Sequence, residues 1–135
     1  MNDNSENICD SNYINDPNYE FIYGDMCNRD ILLKSLIDVD CVILLAGLVG
    51  DPITKKYPKE SHLINDQGIE NIIHACLDKN ISRFIFISTC SNYGLIEGNQ
   101  KAHEEFALNP LSLYAKSKVR AEKTILSLKE NFNLL

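Results

Sequence analysis

Apolar positions along this chain fall into two patterns. Three short runs are rich in β-branched and aromatic residues or continuously apolar: YEFIYGD (19–25), DCVILLAG (40–47) and SRFIFIST (82–89). Such runs predict strands, and an unbroken run such as 40–47 predicts one buried on both faces, as in a parallel sheet. Between them the spacing changes to three and four. Leu32, Leu33, Leu36 and Ile37 recur this way after Asn28, a capping residue, which predicts a helix over 28–38. Leu63, Ile64, Ile69, Ile72, Ile73, Cys76 and Leu77 trace one face of a longer helix that starts at Pro58 and ends near Asn80, after a polar loop that holds Pro52. A glycine-containing loop over 90–110 leads to a last helix opened by Pro110. ICDS (8–11) reads as the stub of a strand and FNLL (132–135) as the beginning of another.

The order is therefore β-α-β-α-β-α, which predicts a parallel sheet with helices on both faces. Right-handed crossovers gather the carboxyl ends of the strands on one edge, where ligands of such sheets bind. That edge holds Gly24-Asp25, Ala46-Gly47 and Ser88-Thr89. Residues 1–18, rich in Asn, Asp and Ser, are expected to be disordered or poorly specified, leaving 19–135 as the folded unit.

Composition narrows the function classes. The 135 residues are 44% apolar and 24% charged with net charge −6, a globular profile that argues against binding a phosphate backbone. Five cysteines show no C-x-x-C pair and fit reduced thiols in a cytoplasmic protein. His62, His74 and His103 lack ligand spacing, so no metal site is expected. The polar, acidic N-terminus does not read as a signal peptide, and no apolar run approaches the ~18 residues of a membrane span, so no membrane partner is expected.

Candidate chemistry lies in SLYAKSKVRAEK (112–123). Tyr114, Lys118, Ala121, Ile125 and Leu128 share one stripe that is otherwise apolar, so the phenol and the ammonium face the protein body. An ammonium beside a phenol stabilises the phenolate and tunes it for proton exchange at a hydroxyl or carbonyl. A snorkelling lysine beside a half-buried tyrosine is the competing reading, and the pair alone favours it. The strand end ISTCSNYG shifts the balance, because the Thr89 hydroxyl is placed to bond the oxygen that Tyr114 protonates.

These segments together resemble the extended short-chain dehydrogenase/reductase family, the NAD-dependent epimerase/dehydratase group acting mainly on nucleotide-sugars. The resemblance runs from about Glu20 to Lys129. FIYGDMCNRD is similar to the family's third strand, which implies that Asp25 and Met26 hold the adenine. VILLAG resembles its fourth strand and places Leu45, Ala46 and Gly47 beside the nicotinamide. Asn65 in LINDQG matches a helix asparagine with a structural and proton-relay role. FISTCSNYG and NPLSLYAKSK imply Thr89 as the catalytic hydroxyl, Tyr114 as acid/base, and Lys118 as the group that lowers its pKa and holds the nicotinamide ribose. Asp10 falls where the family places its ribose acid.

The resemblance implies an oxidoreductase or isomerase that takes NAD or NADP, with NAD favoured, and a nucleotide-sugar. The family's first strand and G-x-x-G-x-x-G turn have no counterpart here, since AGLVGD (46–51) follows a different strand. The expectation is thus a partial Rossmann-like doubly wound sheet: an internal fragment that also lacks the C-terminal substrate region. Unpaired strand edges would then call for a second copy or a complementing chain. Activity of such a chain alone is left open against the alternative of a non-catalytic remnant, or a binding or regulatory module of the same fold.

Overall fold

The computed structural model describes residues 16–96, 98, 100–128 and 130. Its elements in chain order are α1 (Arg29–Ser35), β1 (Cys41–Leu44), α2 (Asp51–Lys56), α3 (Pro58–His62), a π-helical turn (Leu63–Gly68), α4 (Ile69–Asp78), β2 (Arg83–Phe86), a 3₁₀ turn (Cys90–Tyr93) and α5 (Leu113–Ser127). The stub at 8–11, Asp10 and the apolar end at 132–135 lie outside the described residues.

Local chemistry sets the element boundaries. The Asn28 side chain accepts from Asp30 N and Ile31 N and starts α1, while Asp38 at φ 58° turns the chain toward β1. α3, the π turn and α4 run on as one helical stretch, as the apolar spacing predicts, and Asn80 at φ 54° ends the turn beyond it. The loop expected around Pro52 instead contains α2, with proline in its first turn, a position that loses no helix hydrogen bond. α5 begins at Leu113 rather than Pro110, because the Ser112 hydroxyl accepts from Ala115 N at 3.1 Å and supplies the cap.

β1 and β2 pair in parallel with Cys41 opposite Arg83 and Leu44 opposite Phe86, joined by the helical crossover α2–α4. Val42, Leu44, Phe84 and Phe86 point into a single core with Ile72, Ile73 and Cys76 of α4, Ala121 and Ile125 of α5, and Leu36 after α1. Burying a side chain the size of Phe84 contributes about 2 kcal/mol. Burial also pushes the Cys76 thiol up to about 11.

Two expectations are corrected. Residues 19–25 form no ladder among the described residues, and Phe21, Ile22 and Tyr23 are exposed. A strand needs a hydrogen-bonding neighbour as well as strand-forming residues, and none lies beside this segment among the described residues. The described helices cover one face of the sheet rather than both: Ile43, Leu45 and Ile87 on the other face are exposed. Crossovers of one hand that advance in one direction across a sheet leave all their helices on the same side.

Candidate functional site

The site lies where β1 and β2 end. At the β1 end, Leu45 and Ala46 are exposed and Gly47 takes φ 152°. A Cβ on Gly47 would meet Asn65 Oδ1 at 3.2 Å. Asn65, buried in the π turn, holds this loop through both ends of its amide: Oδ1 accepts from Leu48 N at 2.7 Å, and Nδ2 donates to Leu48 O at 2.8 Å. The π turn adds a residue to the helical ladder and aims Asn65 sideways at the loop. In this geometry Asn65 acts on the backbone of the β1 exit.

At the β2 end stands Lys118, only 6% exposed. Its Nζ donates to Ile87 O at 2.7 Å and sits 4.5 Å from the Phe86 ring centre and 5.8 Å from that of Tyr114. Burial pulls the Lys118 amine below its ordinary range, against the opposing pull of Glu122. Tyr114 is half-buried on the first turn of α5. Thr89 caps the 3₁₀ turn, its Oγ1 accepting from Ser91 N at 3.3 Å, which leaves its hydroxyl proton for another acceptor. Thr89 is two residues beyond the carbonyl that receives Lys118, so α5 and the β2 exit meet through that hydrogen bond.

Asp25 and Met26 occupy the tight turn before α1. Asp25 Oδ1 accepts from Cys27 N at 2.8 Å, and burial, with Asp25 beside it, raises the Cys27 thiol. Met26 packs inward, its Cε at 3.1 Å from where a Gly68 Cβ would stand. The sequence reading missed Asn92, which is buried and ties three elements together: Nδ2 reaches Ser88 Oγ at 3.1 Å and Glu122 Oε1 at 3.0 Å, and its carbonyl receives Asn109 N at 2.9 Å. No periodicity in the sequence pointed to it, because its partner Glu122 lies 30 residues away on another element. Among the described residues no cluster of His, Cys, Asp or Glu forms a metal site, and no helix is long and apolar enough to cross a membrane.

A parallel sheet fed by helical crossovers, with glycine and polar groups at its carboxyl edge, defines a partial Rossmann-type α/β domain. The model of the NAD dependent epimerase/dehydratase family matches residues 2–134, and the chain belongs to that family. The low-salt glycan biosynthesis protein Agl12 of Haloferax volcanii is 32% identical over 124 residues, covering 90% of this chain and 39% of that protein. Among solved structures, RMD from Pseudomonas aeruginosa complexed with NADPH is 30% identical with a TM-score of 0.76, over 84% of this chain and 40% of that one. A DesIV double mutant (dTDP-glucose 4,6-dehydratase) from Streptomyces venezuelae with NAD and DAU bound has the same fold, at 24% identity and a TM-score of 0.83, over 90% of this chain and 38% of that one. The chain thus spans 38–40% of the length of these proteins.

Proposed function

We propose that residues 19–135 form the part of a NAD(P)-dependent nucleotide-sugar epimerase/dehydratase that contacts the nicotinamide end of the cofactor and carries the proton-transfer residues. The observation that carries the reading is the buried Lys118 ammonium, anchored to Ile87 O at the end of β2 and lying 5.8 Å from the Tyr114 ring centre. Keeping an ammonium in that position costs desolvation, which a lysine serving only the surface would avoid.

The residues fit a nicotinamide cofactor. Leu45, Ala46 and Gly47 offer an exposed apolar edge without a Cβ at its tip, and Lys118 keeps donor protons beyond the one given to Ile87. In this reading these four hold the nicotinamide side, Asp25 and Met26 hold the adenine, and Asn65 keeps the Gly47 loop in place. A bound cofactor supplies hydride acceptance and return. The chain's own residues supply the rest. Tyr114 takes and returns the proton of the sugar hydroxyl, Lys118 favours the phenolate, and Thr89 donates a hydrogen bond to the same sugar oxygen. NAD is the favoured cofactor over NADP, and the sugar is carried as a nucleotide derivative.

Titration calorimetry of the full chain with NAD and with NADP tests the reading. The expected result is binding, weakened by Asp25→Ala and retained in Tyr114→Phe. Turnover of a nucleotide-sugar should fall about 10²- to 10⁴-fold in Tyr114→Phe, the size of a lost general acid/base. Absence of binding to either cofactor at millimolar concentration would overturn it and favour a non-catalytic module.

A further inference from the structure

Tyr114, Lys118 and Glu122 succeed one another at four-residue intervals on α5 and so share a face. The first two have roles in the proposed function, on which this inference rests; Glu122 has none. Its Oε1 accepts from the Ser88 hydroxyl and from Asn92 Nδ2, the latter at 3.0 Å, and Nδ2 also lies within hydrogen-bond distance of Ser88 Oγ at 3.1 Å. The three side chains thus close a ring, in which one Asn92 N–H is shared between Glu122 Oε1 and Ser88 Oγ. Ser88 stands between Ile87, whose carbonyl receives Lys118, and Thr89. The ring thus grips the β2 exit from the side opposite Tyr114 along the helix.

We propose that Glu122 is a positioning residue for the Tyr114–Lys118 pair: a carboxylate clamped by Ser88 and Asn92 one helical turn behind the ammonium, which keeps Lys118 protonated and drawn to the Ile87 carbonyl. Among the described residues Lys118 forms no direct ion pair, so the carboxylate acts through space. Burial drives the amine toward its neutral form, and Glu122 is the charge that opposes this. Other ionisable groups stand on the elements packed against α5: Cys90 and Tyr93 on the 3₁₀ turn, Asp51, Lys55 and Lys56 on α2, Lys59, Glu60 and His62 on α3, Asp66 on the π turn, and Glu70, His74, Cys76 and Asp78 on α4. Asp66 is engaged by Arg120 at 2.6 Å and His62 at 2.7 Å.

The test is the pH profile of Lys118 acylation by an amine-reactive acetate ester on the full chain, read residue by residue by mass spectrometry. Lys116 and Lys123, on the same helix, are the references. In Glu122→Gln, which keeps the acceptor and loses the charge, the Lys118 midpoint should fall by about one unit, about tenfold more free amine at a fixed lower pH. Glu122→Asp should restore most of the shift. Ser88→Ala, which frees the carboxylate to move, should lower the midpoint by a smaller step. An unmoved midpoint in Glu122→Gln overturns the proposal, even with a faster plateau, since loosening alone changes access and not the midpoint. If melting shows that Glu122→Gln does not fold, Ser88→Ala decides by the same criterion. Cofactor titration of the unmodified chain separates the two readings: no cofactor binding removes the catalytic assignment and leaves the midpoint result standing.

Discussion

The two strand ends at the candidate site are built in opposite ways. β1 ends in Leu45-Ala46-Gly47, which carries no charge and is held by one asparagine reaching across from the π turn. β2 ends in Ile87-Ser88-Thr89, held by a lysine, a glutamate and a second asparagine. The apolar end suits close approach of a flat ring, because Gly47 puts nothing above the backbone. The polar end instead sets a buried ammonium 5.8 Å from the ring centre of a phenol, which is what the proposed proton transfer needs. Under the proposed function, one parallel pair carries the binding surface and the reacting groups side by side. The difference resides in the three residues after each strand rather than in the strands.

Substitutions at the β1 end test whether Asn65 alone holds it. Asn65→Ala leaves the Leu48 N–H and C=O without their partner and should cost about 3 kcal/mol in urea unfolding, two unmet polar groups at the usual penalty. Cofactor affinity should fall with it, while the Lys118 acylation profile stays unchanged. A change in that profile would show that the two ends are coupled and break the contrast. Gly47→Ala is milder. Its φ of 152° and a Cβ contact of 3.2 Å with Asn65 Oδ1 predict a loss of about 1 kcal/mol, with a clear drop in cofactor affinity in the same titration.

The smallest effect is in pH dependence, and it sharpens the contrast because the shifted lysine belongs to the β2 end alone. Lys118 has a lower value folded than unfolded, so between the two values the unfolded chain binds the extra proton. Stability therefore rises with pH through that window, and below it the full desolvation cost is present. Cys76, in the core beneath both ends, has the opposite sign. Its folded value of about 11 against 9.0 keeps the folded thiol protonated while the unfolded one ionises, so stability is lost as pH rises from 9.0 toward 11. Urea midpoints measured across this range should decline less in Cys76→Ala than in the unmodified chain, and Lys118→Met should remove the rising component.

Much of this was legible in the sequence because the periodicities are strong. The Pro58–Asn80 helix, the two ladder strands and the Tyr114–Lys118 stripe all appear where apolar spacing puts them. α2 was not legible, since DPITKK lacks an apolar face long enough to show a period. The Ser112 cap was hidden by Pro110, a stronger start signal two residues earlier. Asn92 falls in the 90–110 loop and Ser88 near a strand end, and their spacing to Glu122 says nothing until β2 and α5 pack.

What the sequence by itself determined is the local menu: which segments become helix or strand, where caps and breaks fall, and that a phenol and an ammonium share one helical face. Tertiary structure alone decided that residues 19–25 find no ladder among the described residues, that Asn65 grips Leu48, and that Ser88, Asn92 and Glu122 close a ring. The reason is range. Helical periodicity and capping act over three to five residues and are written in order along the chain. A hydrogen bond between groups dozens of positions apart exists only after folding has brought their backbones together, and no spacing in the sequence encodes that approach.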